Sequence, residues 1–459
     1  MPHRLIETDW PDFGAPALPP PVTRAELAER LSRLRQGMAA RGLDALAIYG
    51  DREHMGNILW ATGFDPRFEE ALFVVLPEGA PLLLAGNECL PYTAISPAVA
   101  AGDIRAALCA SLSLLSQPRG GEKLSAHLAR EIPKGARIGA AGWKYWEPGE
   151  ADDPAHALDL PAFIADLLRG IGSDVVNAGE MLMHPGHGLR TTVSPAEIAR
   201  LEFANRMAAE ALKRTIFALH EGMTDFAAVE AGRIGGLPLG CHVTFATGGK
   251  AHLGLTGPTG ERIEKGRPLS LNICHWGANI CRAGWLIEGP GDLPAPACDY
   301  AEAFVAPYLS AMSEWCALMR PSVIGGTVQA AMDKALSGFG VTLNPGHLIG
   351  AEEWLSSPIF PGSSLPLRSG MAMQCDVIPD HPVYASTRME DGYVIADEAL
   401  AEALGRAHPD LLARARHRQR FMRDTVGLNV PDTLLPLADT CGVVAPYLLA
   451  PRKIMSLAD

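Results

Sequence analysis

The chain has 459 residues, more than one ordinary core organises, so two domains are expected. Apolar residues make up 48% and charged residues 20%, the balance of a folded globular protein and not of a disordered one. A net charge of −13 argues against the basic surface that neutralises nucleic-acid phosphates, and no run of about 18 apolar residues exists to span a membrane.

Met1–Trp10 is polar and acidic and lacks the apolar centre of a secretory leader, so a cytoplasmic location is expected. Residues 1–22, rich in proline and alanine from Phe13, read as an extended lead-in. From Thr23 the pattern becomes helical: Leu27, Leu31, Leu34 and Met38 recur along one face, and Gly42 closes the helix. Leu46–Tyr49, Ala71–Leu76 and Pro81–Leu84 read as strands, the last two joined by the turn Pro77–Ala80. Alternating helix and strand signals continue to about Val176, which predicts an α/β domain over 23–185.

The joint His184–Gly188 precedes a second domain predicted over 186–405. Ser194–Pro195–Ala196–Glu197 combines an N-cap, a first-turn proline and an acidic first turn. Leu201, Ala204, Met207, Ala208 and Ala211 continue that helix as an apolar stripe. Residues 406–459 hold an arginine-rich helix, Leu434–Leu437 and a cysteine-containing tail. They are expected to be an extension serving a surface or a subunit contact. The nine cysteines lack close paired spacing, as in a reducing compartment, and neither CxxC nor HExxH occurs.

Candidate chemistry gathers in the second domain. Thr247–His252 ends in an imidazole, which titrates near neutrality and can take and return a proton. Pro268–Asn272 enters a buried strand and Trp276–Arg282 returns from it; Asn344–Gly350 carries His347; Asp376 and Glu390 end two later segments. Two carboxylates in one buried pocket push at least one pKa upward unless a cation arrives. A guanidinium, amidinium or ammonium group on the substrate is one such cation.

In order and spacing these segments resemble the creatinase/prolidase/methionine aminopeptidase ("pita-bread") superfamily, over about residues 25 to 400. Asn57–Phe64 is similar to its "N-x-x-Y-L-T-G-F" segment, Trp276–Arg282 to "Y-x-x-D-x-x-R", Gly346–Gly350 to "G-H-x-x-G", and Ser386–Asp391 to "x-R-x-E-D". Metallopeptidases of that superfamily read Asp, Asp, His, Glu, Glu where this chain reads Asn272, Asn279, His347, Asp376, Glu390. A neutral amide is a much weaker ligand than a carboxylate. The second peptidase histidine, seven positions after His347, is Trp354.

The resemblance implies an α/β (α+β) chain: an amino-terminal creatinase/prolidase-type domain, then a pita-bread catalytic domain, assembled as a homodimer. It implies a creatinase-like, metal-independent hydrolase that cleaves a C–N bond of a small cationic substrate. His252, His347 and Glu390 would be catalytic, with His252 as general acid/base. Asp376, Asn272, Asn279 and Arg282 would bind substrate, joined by Arg67 beside Phe68 across the dimer interface. No cofactor is expected in that reading. The alternative is an Xaa-Pro-type metallopeptidase with manganese, zinc or iron on His347, Asp376 and Glu390; a lyase and a silent pseudo-peptidase are further alternatives.

Two readings come from the residues alone. Cys274, His275, Cys281 and Cys375 cluster around the same segments as a possible soft-metal set. Cys274 could also be a nucleophile, although its neighbour His275 points to the opposite strand face.

Overall fold

The computed structural model describes residues 3–341 and 345–458, with the side chains of His252 and Val341 outside that description. The chain divides into two compact units, residues 21–190 and residues 1–20 with 191–459.

In the first unit, helix α1 (Arg24–Arg41) begins where Thr23 Oγ1 accepts from the Glu26 amide, and ends at the left-handed Gly42. Leu27, Leu34 and Met38 are buried along its inner face, and Leu31 is half-buried. Six strands follow: β1 (Ala45–Gly50), β2 (Ala71–Val75), β3 (Leu82–Ala85), β4 (Arg105–Leu108), β5 (Arg137–Ala141) and β6 (Asp174–Asn177). They form one mixed sheet in the order β4-β3-β2-β1-β5-β6, with β1 to β3 antiparallel and the remaining pairs parallel. The central strands are continuous apolar runs because both faces of the sheet are covered.

The second unit opens with helix α2 (Pro195–Ala218), whose Ser194 and Glu197 make a reciprocal capping box. Its strands include β7 (Thr244–Thr247), β8 (Pro268–His275), β9 (Ala278–Trp285), β10 (His347–Leu348), β11 (Ala372–Gln374), β12 (Arg388–Glu390), β13 (Gly392–Ile395) and β14 (Leu434–Pro436). One antiparallel sheet runs β12-β9-β8-β7 and a second runs β10-β11-β13-β14. The first sheet aligns Thr244, Asn272, Cys281 and Glu390 in one row across its four strands. Residues directly opposite one another share a face, so this register decides which side chains meet.

Both chain ends depart from expectation. Within the lead-in, Arg4–Glu7 pairs antiparallel with Lys453–Ser456, and Trp10 packs edge-on against Phe217. The extension is no surface appendage: Leu434, Leu435, Val443 and Leu448 are buried, and β14 completes the second sheet. Arg418, also buried, bridges Glu202 and Asp439 at 2.8 and 2.7 Å. An unpaired β13 edge and a lone Glu202 would both be costly to bury, and this segment satisfies them. Among the described residues, no helix is long and apolar enough to cross a membrane.

Candidate active site

The row across β7, β8, β9 and β12 supplies one wall of a buried pocket. Its amides form a chain of hydrogen bonds with one direction. The Thr244 backbone N–H donates to Asn272 Oδ1 at 2.9 Å, which leaves the Asn272 amide nitrogen facing inward. That nitrogen donates to Asn279 Oδ1 at 2.9 Å, and Asn279 Nδ2 in turn donates to Glu390 Oε1 at 2.8 Å. The backbone donor at one end therefore fixes which atom each amide presents. Neither turns a bare oxygen toward a cation.

His347 enters from β10. Gly346 before it has φ 108°, and a Cβ there would meet the Gln374 carbonyl oxygen at 2.9 Å, so the Pro-Gly-His turn requires glycine. The ring is wholly buried; its Nδ1–H donates to the Leu348 carbonyl at 3.2 Å, and Trp354 stacks on it at 4.1 Å. Nε2 stands 3.1 Å from Glu353 and 3.8 Å from Asp376. The Glu353 contact is an ion pair by distance without hydrogen-bond alignment, so Nε2 keeps no aligned partner.

Electrostatics follow from this crowding. Burial pushes the Asp376 carboxyl up to about 7, although His347 pulls the other way. Burial, then the adjacent Asp376, pushes Glu390 well above the carboxylate range. Burial disfavours a charged His347, but the Glu353 carboxylate outweighs it and raises the imidazole; the same pair holds Glu353 low. Arg388, on the face of Glu390, is buried with its Nη1 3.5 Å from Cys281 Sγ and is held charged by Cys281, Glu390 and Asp376. The pocket thus favours an imidazolium–carboxylate pair at His347 and Glu353, a guanidinium at Arg388, and protonation of the crowded Asp376 and Glu390.

Of the residues singled out above, Asn272, Asn279, His347, Asp376 and Glu390 come together. Arg282 does not join them. It stands three positions after Asn279 on one strand, so it faces the other side. There it donates to Asp391 at 2.8 Å and to the carbonyls of Cys281, Glu390 and Thr440. It clamps Glu390 from behind and has no hand in the pocket. Arg67 belongs to the amino-terminal unit, where its guanidinium donates to Tyr92 Oη at 2.7 Å. His252 falls in a 3-10 turn (Gly248–Leu253), and its side chain lies outside the described residues. Asn344 is likewise outside them.

Glu353 and Arg388 are the residues that sequence reasoning missed as site members. Looking only at the seventh position after His347 finds Trp354 and passes over Glu353 at the sixth. Arg388 was visible, because alternation places it on the face of Glu390. The soft-metal set does not assemble. His275 faces away from Asn272, Cys281 is covered by Arg388, and Cys375 lies 3.7 Å from Met312 Sδ. Among the described residues, the one group able to hold a metal ion is His347, Glu353 and Glu390, with donor atoms within 4.8 Å of one another. Glu353 takes the place expected for Asp376 in that set.

Two antiparallel sheets, a long capped helix and a pocket ordered amide, amide, histidine, carboxylate, carboxylate define a pita-bread unit that follows an α/β unit along the chain. No protein-family model and no curated protein matches the chain. Solved structures do. It is similar to dipeptidase PepE from Mycobacterium ulcerans at 20% identity and TM-score 0.60, over 81% of this chain and 94% of that one. It is similar to the prolidase from Pyrococcus horikoshii OT3 at 16% identity and TM-score 0.61, over 80% and 95%. The prolidase from Thermococcus sibiricus matches at 14% and 0.62, over 81% and 95%. The fold is the one shared by prolidases and Xaa-Pro dipeptidases, and its pocket carries two amides of its own.

Proposed function

We propose that this chain is a hydrolase of the amide C–N bond in small peptide-like substrates, of the Xaa-Pro dipeptidase type, working with one divalent cation. The observation that carries this reading is the buried His347–Glu353–Glu390 cluster within 4.8 Å in a prolidase fold. The residues fit one ion. His347 has Nδ1 engaged by a backbone carbonyl and Nε2 without an aligned partner, the arrangement of a ligating histidine. They do not fit two, because Asn272 and Asn279 spend their oxygens on hydrogen bonds within the relay. A bound divalent ion would lower the pKa of a coordinated water and polarise a carbonyl oxygen.

The chain's own groups supply the proton traffic. Asp376, with a pKa near 7, holds a proton at neutral pH that a departing amine can take. Asn279 orients Glu390 by donating to Oε1, and Arg282 fixes the Glu390 carbonyl behind it. A homodimer in the cytoplasm remains part of this reading.

One observation favours a second reading, metal-independent cleavage of a cationic substrate with His252 moving the proton. Arg388 and the His347–Glu353 pair already balance most of the pocket's negative charge. One experiment separates the two. Purified protein is assayed for metal content and for turnover of Xaa-Pro dipeptides and small guanidines, before and after chelation. The first reading expects about one ion per chain, dipeptide turnover lost on chelation and recovered with manganese or zinc. Chelation-resistant turnover of a guanidine would sink it in favour of the second.

A further inference from the structure

The mechanism leaves Cys241 unused, yet the backbone is distorted to bring it into the amide wall. Leu239 bridges His275 and Thr244 pairs with Asn272, so five steps along one strand match three along its partner. The surplus forms a bulge that re-aims the side chains within it. Cys241 Sγ comes within 3.6 Å of Asn272 Nδ2, which donates to it. Cys274 shares the Asn272 face, two residues further along β8, and its carbonyl accepts from the Gly240 amide at 3.1 Å, directly beside Cys241. Gly240 permits the approach, because a Cβ there would lie 2.7 Å from Cys274 Sγ.

The two sulfurs differ in kind. Cys241 is half-buried and Cys274 buried. The neighbouring Cys274 draws the Cys241 thiol down to about 7 against the opposing effect of burial, helped by the hydrogen bond from Asn272. Cys274 is raised well above the ordinary thiol range by Cys241 and by burial. Cys241 is therefore the sulfur that a reagent reaches first, with Cys274 buried behind it.

We propose that Cys241 and Cys274 are a hydroperoxide-oxidisable dithiol that closes to a disulfide and withdraws a hydrogen-bond acceptor from Asn272. The Cys241 thiolate attacks the peroxide; an S–O bond forms, the O–O bond breaks, and the leaving oxygen takes a proton from solvent. Cys274 sulfur then attacks the sulfenic sulfur; the S–S bond forms, the S–O bond breaks, and the departing hydroxide leaves as water with the Cys274 proton. Two thiols lose two electrons and one hydroperoxide gains them. The disulfide does not depend on the hydrolase reading; only its effect on turnover does.

The test treats the full chain with hydrogen peroxide, alkylates free thiols after denaturation, and maps peptides by mass spectrometry. We expect a linked Cys241–Cys274 peptide lighter by two hydrogens, with the exposed Cys298 unlinked, and its loss on adding dithiothreitol. Cys274→Ser should arrest the reaction at a Cys241 sulfenic acid that dimedone captures, and Cys241→Ser should leave Cys274 reduced. Alkylatable Cys241 and Cys274 after Cys298 has oxidised, or a bridge from Cys241 to any other cysteine, overturns the proposal. Circular dichroism checks each variant's fold, and where one fails the wild-type linkage decides alone.

Discussion

The two walls of the pocket differ in backbone and in charge: one is built on two eight-residue strands, the other on a two-residue strand and the loops beside it. Asn272 and Asn279, on β8 and β9, form a neutral wall whose polar atoms satisfy one another and end on Glu390. Facing them, His347, Glu353 and Asp376 form a charged wall that meets Glu390 at the edge of the first, crowded enough that burial drives two carboxyls toward protonation. A scaffold can preserve positions while the side chains decide whether those positions bind a cation. What distinguishes the walls is the sign of the atoms they present. A carboxylate at 272 would face the Thr244 amide well enough. It could not donate onward, and the relay would stop there.

The sharpest way to break this contrast is to neutralise the charged wall. Glu390→Gln should lower kcat/KM roughly 10³-fold, the scale of losing a positioned proton-transfer or electrostatic group. Steady-state kinetics on the substrate identified by the panel above would show it, and a loss under tenfold would move Glu390 out of the machinery. Next in size is the clamp behind the sheet. Arg282→Met leaves Asp391 buried without its partner and should cost about 3 kcal/mol, read from urea unfolding.

Converting the neutral wall comes third. Asn279→Asp removes the donor to Glu390 and sets two carboxylates together, which should destabilise the metal-depleted protein by about 2 kcal/mol. Asn272→Asp with Asn279→Asp should raise the bound divalent ions from about one to about two per chain. Elemental analysis showing no gain would mean that more than these two amides separates the pocket from a dinuclear one.

A subtler contrast lies in pH. The folded Asp376 binds a proton up to about pH 7, whereas its ordinary value is 3.8. The stability it lends is therefore full below about pH 4 and lost as pH rises through about 7. His347, also raised, has the same sign. The chelated protein's Tm should fall between about pH 5 and 8, and Asp376→Asn should flatten that slope. The smallest effect belongs to Trp354→Ala. Loss of its stack on His347 should cost about 1 kcal/mol, read from urea unfolding.

What could be read from the residues in order was considerable. Apolar spacing found α1, β1 and α2, because helix and strand periods are local properties of the chain; the run of asparagine, asparagine, histidine, aspartate and glutamate was picked out by its resemblance to a family order, and these five side chains lie together in the fold. Alternation alone would also have removed Arg282 from the pocket, since it stands an odd number of residues from Asn279. Tertiary structure decided the rest. The direction of the amide relay depends on the Thr244 N–H, 28 residues from Asn272 in sequence. Glu353 matters only because a loop folds it onto His347. Cys241 meets Cys274 through a bulge that no spacing announces, and the chain's last segment is core because β13 and Glu202 needed partners. Each of these rests on a contact between distant segments, where geometry and the cost of an unpaired buried group govern and sequence period is silent.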